Sequence, residues 1–202
     1  MLSVPAEPAA AEGTPSAQIQ PSGKARVFFA LWPPEVLAAE LAGIARQFAE
    51  ASGGRPGRQE TLHLTLAFLG DVAETRLPEL CRLAAAIHVP AFELQLDKLD
   101  FWSHNHLLWC GCTAPPSVLG QLVDELRNAL ISAGFKLADP DGRFVPHVSL
   151  VRRVPASESS ASFRLGRVLS LPAWQCNQIV LVRSYLSPSG PDYQVVARFN
   201  LA

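Results

Sequence analysis

The stretch that decides this fold reads Thr61-Leu62-His63-Leu64-Thr65-Leu66-Ala67-Phe68-Leu69-Gly70. It predicts a β-strand, because it is rich in apolar residues and is followed at once by the turn-forming pair Gly70-Asp71. Successive side chains of a strand point to opposite faces. The three leucines at even positions would therefore face the core, whereas His63 and Thr65 would share the other, open face.

A second stretch, Phe144-Val145-Pro146-His147-Val148-Ser149-Leu150-Val151-Arg152-Arg153, repeats this pattern, and its His147 and Ser149 would also share a face. A lone histidine on a strand is usually structural. Two copies of His-x-hydroxyl in apolar strands instead favour a shared site. Two imidazoles facing one cleft supply a general acid and a general base without a metal. The hydroxyls can donate hydrogen bonds to a charged oxygen between them.

Together the two stretches resemble the 2H phosphoesterases, which are named for their paired His-x-Thr/Ser-x signatures. Within that family, the sequence is most similar to the bacterial and archaeal RNA 2′,3′-cyclic phosphodiesterases, also called 2′-5′ RNA ligases. The one departure in the motifs is Ser149, where Thr is common, and it keeps the hydroxyl. The resemblance runs from about Arg26 to the C-terminus and is carried by residues 26–31, 63–70, 147–152 and 181–186, the pairs Gly190-Pro191 and Arg198-Phe199, and Tyr193.

An α+β fold follows from the pattern of predicted elements, and the resemblance implies its arrangement. Two α/β lobes would be related by a pseudo-twofold axis, with antiparallel sheets flanking a central cleft lined by both motifs. Residues 24–202 would form this single bilobal domain. Residues 1–23 lack periodicity and are rich in Ala, Pro, Ser and Glu, which predicts a disordered tail.

Apolar periodicity places three helices and several further strands around the two motifs. The helices are expected from Pro33-Pro34 to about residue 48, over residues 73–87 and over residues 115–134, the last capped by Ser117. The further strands are expected over residues 26–32, 92–102, 107–112, 176–186 and 193–201. The short link at residues 103–105 predicts a hairpin between two of them.

The resemblance implies hydrolysis of RNA 2′,3′-cyclic phosphate ends to 2′-phosphomonoesters, without a metal or another cofactor. His63 would donate a proton to the leaving ribose oxygen, and His147 would accept one from water. Thr65 and Ser149 would hold the non-bridging oxygens as charge builds. Run backwards, the same chemistry would join a cyclic end to a 5′-hydroxyl through a 2′-5′ linkage.

The resemblance also implies that two further residues, Arg152 and Phe68, bind the substrate. Arg152 matches the motif's arginine, but it lies five residues after His147. On an ideal strand this odd offset puts it on the other face, so a contact with the cleft needs a bend or a reaching side chain. Phe68 matches a family position at which an aromatic ring lines the site. Its spacing along the strand, taken alone, predicts instead that its side chain is buried in the core. Arg55 and Arg58, just before the first motif, are either solvated loop charge or phosphate contacts.

Three other functions remain open at this point. The first is a related activity on a small cyclic nucleotide, and the second is a non-catalytic module that binds RNA ends. The third is a metal-dependent phosphatase that adds His104 and His106 to the two motif histidines, although this pair is better explained as a surface hairpin tip. The spacing of the four cysteines, Cys81, Cys110, Cys112 and Cys176, does not match a zinc site. Cys110 and Cys112 would lie on one face of a predicted strand and are interpreted as small core residues.

Composition and charge indicate which kinds of molecule this protein binds and in which cellular compartment it works. The 202 residues are 49% hydrophobic and 17% charged, which is typical of a globular chain. The formal net charge of −1 is not that of a protein that grips long nucleic acids, so a short RNA end held locally is expected. No run approaches the ~20 apolar residues of a membrane helix, and no secretory signal is evident. A cytoplasmic monomer is therefore predicted.

Overall fold

The structure, a computed structural model, describes residues 23–139, 142–155, 169–187 and 190–202. The predicted disordered tail lies outside these residues except for Gly23. In the described ranges, the strands are β1 (Lys24–Leu31), β2 (Arg55–Pro56), β3 (Leu64–Ala73), β4 (Phe92–Leu94), β5 (Lys98–Trp102), β6 (Leu107–Gly111), β7 (His147–Arg152), β8 (Trp174–Cys176), β9 (Gln178–Ser187) and β10 (Gly190–Asn200). The α-helices are α1 (Glu35–Ser52), α2 (Leu77–Ala85) and α3 (Ser117–Ser132).

The strands form an antiparallel sheet that confirms the α+β fold class. Within the described residues, its order is β10-β9-β1-β3-β7-β6-β5, with β2 paired to the outer part of β7, and β4 and β8 form a separate pair. The two motif strands are therefore neighbours at the middle of the sheet. On the far side of β3 lie β1, β9 and β10, and on the far side of β7 lie β6 and β5. The two halves of the sheet are therefore built from different parts of the chain.

The helices cover one face of this sheet, and the site lies on the other. Leu62, Leu64 and Leu66 are almost fully buried in the main core, together with apolar residues of all three helices. On the opposite face lies a smaller apolar cluster that includes Phe28 and Val180. The predicted alternation around the first motif is thus confirmed: leucines face the helices, and the polar positions face away from them.

Several predicted boundaries were wrong, for local reasons. The first motif strand begins only at Leu64, because residues 59–61 form a 3₁₀ turn, and it runs on to Ala73. The predicted strand over residues 92–102 is two strands in different sheets, β4 and β5. Ser117 does not cap α3: Pro116 is the cap residue, and no side chain bonds there.

The hairpin of β5 and β6 is confirmed, and its second strand packs closely against the second motif. Gly111 is the register partner of His147 in the ladder between β6 and β7. A side-chain carbon at Gly111 would lie 2.7 Å from the backbone oxygen of Pro146 and 2.6 Å from a ring carbon of Trp109. Glycine is therefore required for β6 to approach the start of β7 this closely.

Gly111→Ala should separate β6 from β7 and lower the free energy of unfolding by about 1–3 kcal/mol, as overpacking typically does. Urea denaturation measures the change. Gly120→Ala is the matched control, because Gly120 lies in α3 with no atom within 4 Å of the added carbon. It should raise stability by about 0.5–1 kcal/mol through helix propensity. Equal effects of the two substitutions would contradict the close approach.

Candidate active site

The two motif strands meet at a single register pair, Leu64 with Val148. Extending this antiparallel register by one residue in each direction places His63 opposite Ser149 and Thr65 opposite His147. Leu64 and Val148 are both fully buried on the helix side, so the four polar side chains share the other face. Each imidazole therefore lies beside the hydroxyl of the other motif, as a pseudo-twofold arrangement requires.

Both histidine rings are oriented by the same backbone contact. Nδ1 of His63 lies 2.7 Å from the carbonyl oxygen of Thr61, and Nδ1 of His147 lies 2.8 Å from that of Val145. A carbonyl oxygen can only accept, so each Nδ1 carries a proton and donates it. In the neutral ring, Nε2 is then left with its lone pair and is free to accept or return a proton.

Aromatic rings pack around both histidines. The His63 ring stacks on Phe28 and Trp32, with centroids 4.7 and 5.4 Å away, and meets the edge of Tyr193 at 5.2 Å. The His147 ring is approached edge-on by two tryptophans, Trp102 at 4.6 Å and Trp109 at 5.9 Å. These contacts fix the rings and remove water from their faces. The five rings come from three distant parts of the chain: the end of β1, the β5–β6 hairpin and β10.

Burial also changes the proton affinity of the two rings. Removal from water lowers the pKa of His63 to about 4, a change that nearby Arg152 and His147 reinforce and the Thr61 carbonyl opposes. The pKa of His147 is likewise lowered, first by burial and then by Arg152, against the Val145 carbonyl. Both imidazoles are therefore neutral near pH 7 in the ligand-free protein. A bound anion would favour the protonated form of each.

A β-bulge brings Arg152 to the site and resolves its odd offset. On β6, the consecutive residues Leu108 and Trp109 pair with Val151 and Ser149, so Leu150 is an extra residue on β7. A bulge of one residue reverses the alternation of faces beyond it. Arg152 therefore joins the face of Ser149, and its Nη2 donates to the Ser149 Oγ at 3.1 Å.

The first motif strand contains a bulge at the corresponding place. On β1, the consecutive residues Phe29 and Ala30 pair with Ala67 and Thr65, which leaves Leu66 extra on β3. Phe68 is thereby turned to the face of Thr65, rather than into the core as its spacing alone indicates. Its ring stacks on that of Phe28 at 6.3 Å, and the Arg26 guanidinium lies over it at 4.8 Å.

Two cavities flank the pair of histidines. The first, which we call the aromatic pocket, has a volume of about 420 Å³ and contains Thr65 and His147. The second, which we call the arginine pocket, has a volume of about 460 Å³ and contains His63 and Ser149. The aromatic pocket is also lined by Phe68, Trp102, His104, Phe144, Arg127 and Arg143, and the arginine pocket by Arg55, Arg58, Arg152, Arg153 and Tyr193.

The two arginines that precede the first motif both reach the arginine pocket. The charge of Arg58 is partly offset, because its guanidinium lies 2.8 Å from Asp192 and 3.2 Å from Glu60. Arg55 is the register partner of Arg152 in the short β2–β7 ladder. The sequence left their role open, since nothing in it indicated that β2 pairs with the second motif strand.

Of the alternative metal ligands, His104 lines the aromatic pocket together with His147. His104 and His106 belong to the β5–β6 hairpin, where residues 103–106 form the turn. Cys110 is buried and Cys112 is half-buried, and burial raises their pKa values to about 12 and about 11. In the part of the chain that the structure describes, no three His, Cys, Asp or Glu side chains are grouped to hold a metal ion. None of the helices described there has the length and apolar character to cross a bilayer.

Comparison with known proteins places this geometry in a family. Residues 31–109 match the model of the LigT-like phosphoesterases. The RNA 2′,3′-cyclic phosphodiesterase of Escherichia coli is 35% identical over 128 residues, which are 63% of this chain and 71% of that protein. Its counterpart from Thermus thermophilus is 30% identical over 186 residues, 87% of this chain and 90% of that one.

Solved structures agree with the sequence relatives. E. coli LigT in its apo form superposes with a TM-score of 0.76 at 28% identity, covering 90% of this chain and 99% of that one. E. coli LigT complexed with 3′-AMP gives a TM-score of 0.79 at 27% identity, covering 89% and 99%. With paired histidine motifs on adjacent central strands and these relatives, the chain belongs to the RNA 2′,3′-cyclic phosphodiesterase family of LigT-like 2H phosphoesterases.

Proposed function

We propose that this protein hydrolyses the 2′,3′-cyclic phosphate at the end of an RNA and leaves a 2′-phosphomonoester. The observation that carries the proposal is the pair of imidazoles, each with Nδ1 held by a backbone carbonyl and Nε2 available to substrate. Relatives named RNA 2′,3′-cyclic phosphodiesterase support the choice of substrate. E. coli LigT has also been crystallised with 3′-AMP, a nucleoside phosphate.

In this reaction, the phosphorus lies between the two Nε2 atoms. His147 accepts a proton from water as the water oxygen forms its bond to phosphorus. The bond from phosphorus to O3′ breaks on the far side, and His63 donates its proton to that oxygen. The two histidines finish with their protonation states exchanged, so proton transfer through solvent resets them. Each transfer typically contributes about 10²- to 10⁴-fold to the rate.

Charge stabilisation comes from the other side chains on the same face. Thr65 and Ser149 donate hydrogen bonds to the non-bridging oxygens, where negative charge increases in the transition state. Arg152, held 3.1 Å from the Ser149 hydroxyl, adds a guanidinium that can bind one of these oxygens. The same positive charge lowers the pKa of both histidines in the free protein. An anionic substrate offsets it and raises both pKa values.

The assignment of acid and base follows the resemblance to the 2H phosphoesterases. Burial lowers the pKa of both rings in the free protein, to about 4 at His63. A bound anionic phosphate favours the protonated form of an imidazole. His63 can then carry the proton that it donates to the leaving oxygen, while neutral His147 activates the water.

A second reaction is favoured by the size of the aromatic pocket. His147 lies in this pocket, so the nucleophile enters from it. Its volume of about 420 Å³ is far larger than the ~30 Å³ that a water molecule occupies. Phe68, Trp102 and Phe144 can stack against a nucleobase. An RNA with a 5′-hydroxyl can therefore take the place of water, which gives a 2′-5′ linkage.

Removal of either histidine tests the hydrolytic mechanism. His63→Ala and His147→Ala should each lower kcat by several orders of magnitude, and the double variant should lose little more, because the pair acts as a unit. The assay is hydrolysis of an oligonucleotide with a 2′,3′-cyclic phosphate end. His88→Ala, at an exposed loop position, is the control and should keep wild-type activity.

A p-nitrophenyl phosphodiester separates the two roles, since its leaving group needs no proton. It should restore activity to His63→Ala more than to His147→Ala. Greater rescue of His147→Ala would reverse the roles. Wild-type turnover in either single variant would defeat the two-histidine mechanism. Binding of the oligonucleotide with no turnover by the wild-type protein would instead identify an RNA-end binding module.

Truncation of the aromatic pocket tests the second reaction. Trp102→Ala removes a possible stacking surface for the incoming nucleoside, and base stacking is worth about 1–3 kcal/mol. Ligation of a 5′-hydroxyl RNA to a cyclic-phosphate RNA should therefore fall by about ten- to a hundredfold more than hydrolysis does. Both products can be resolved in one reaction mixture. Equal losses of ligation and hydrolysis would show that the pocket does not bind the second RNA.

A further inference from the structure

The arginine pocket holds more positive charge than one reacting phosphate requires. Four arginines line it, and no carboxylate does among the residues that the structure describes. Asp192 and Glu60 lie nearby and both pair with Arg58. Arg152 is placed by Ser149 for the reacting group. Arg55 and Arg153 also line this pocket, in a chain whose formal net charge is −1.

Arg55 is held in this position by the fold. Gly53 ends α1 with a φ of 72°, and Gly54 then packs so tightly that a side-chain carbon there would lie 2.5 Å from Val151. Beyond the arginine, the amide of Gly57 donates to the Leu150 carbonyl at 2.7 Å. Arg55 is thereby fixed directly opposite Arg152 on the neighbouring strand. The Arg55 side chain extends to the start of β10, where its Nη2 lies 2.7 Å from the position of a side-chain carbon built at Gly190.

Arg153 is held by an unusual backbone conformation. It is one of two non-glycine residues with positive φ in the described part of the chain, with a φ of 56°. The next amide, that of Val154, donates to the His106 carbonyl at 3.2 Å and anchors the turn. Left-handed backbone is costly for a side chain such as arginine, and such strain is concentrated at functional sites.

We propose that Arg55 and Arg153 bind the phosphodiester on the 5′ side of the terminal nucleotide, so that the enzyme selects RNA ends over isolated nucleoside cyclic phosphates. This inference rests on the proposed function, in which His63 protonates O3′. The terminal ribose then lies on the His63 side, and its 5′ carbon leads into the arginine pocket. A guanidinium binds phosphate oxygens through paired, charge-assisted hydrogen bonds.

Three substrates that share one base isolate the effect of this phosphate. They are adenosine 2′,3′-cyclic phosphate, the same nucleoside carrying a 5′-methyl phosphate, and its neutral 5′-methylphosphonate methyl ester. The anionic 5′ group should raise kcat/KM by about tenfold, which is a modest gain for a solvent-accessible charged contact. The neutral ester has nearly the same shape and should give little increase. Added salt should reduce the advantage of the anionic substrate.

Charge-removing variants assign the effect to the two arginines. Arg153→Asn removes the charge and keeps a residue that tolerates left-handed backbone, and Arg55→Gln removes the other charge. Each should lower the ratio of kcat/KM between the anionic and neutral 5′ substrates, and the double variant should bring it close to one. Arg46→Ala, an exposed position on α1, is the control and should leave the ratio unchanged.

The outcomes separate this inference from the proposed function. A wild-type ratio near one, with adenosine 2′,3′-cyclic phosphate still hydrolysed, would overturn the subsite alone. So would a high ratio that survives in the double variant, because the 5′ phosphate would then be bound elsewhere. If the wild-type protein hydrolyses none of the three substrates and does not hydrolyse a cyclic-ended oligonucleotide either, the proposed function is overturned, and this subsite with it.

Discussion

The contact between β3 and β7 is the constraint on which the rest of this structure depends. A single register pair, Leu64 with Val148, joins the two halves of the sheet. Because the strands are antiparallel, this one pair sets each imidazole beside the hydroxyl of the other motif. A shift of one residue would turn His63 or His147 toward the helices. The buried leucines and valines that fix the register are therefore as necessary to the site as its polar residues.

The site is symmetric in its histidines and asymmetric in the residues that surround them. Each ring donates from Nδ1 to the carbonyl two residues earlier. Each motif strand then has a one-residue bulge that turns the fifth residue after the histidine toward the site. That residue is Phe68 on one strand and Arg152 on the other. Phe68 lines the aromatic pocket and Arg152 lines the arginine pocket, and this difference gives a symmetric pair of catalysts a direction for the substrate.

Much of the fold was readable from the sequence because it follows simple periodicities. The three helices, the two motif strands and the β5–β6 hairpin all have regular apolar patterns. The bulges and the order of the strands in the sheet could not be predicted from the sequence. A bulge such as Leu150 has no sequence signature of its own, so the face of Arg152 could not be derived from its offset. Trp102 and Tyr193 reach the histidines only through long-range strand order, which periodicity does not specify.

Nitrogen-15 NMR of the two imidazoles in the ligand-free protein, titrated with acid and repeated with inorganic phosphate, tests whether the two rings can act as acid and base. Both neutral rings should carry their proton on Nδ1, with Nε2 as the titrating atom. Both pKa values should lie below the ordinary value of about 6.5, with His63 at about 4, and phosphate should raise both. A neutral ring protonated at Nε2, a His63 pKa at or above the ordinary value, or two rings unaffected by phosphate would contradict the two-histidine site.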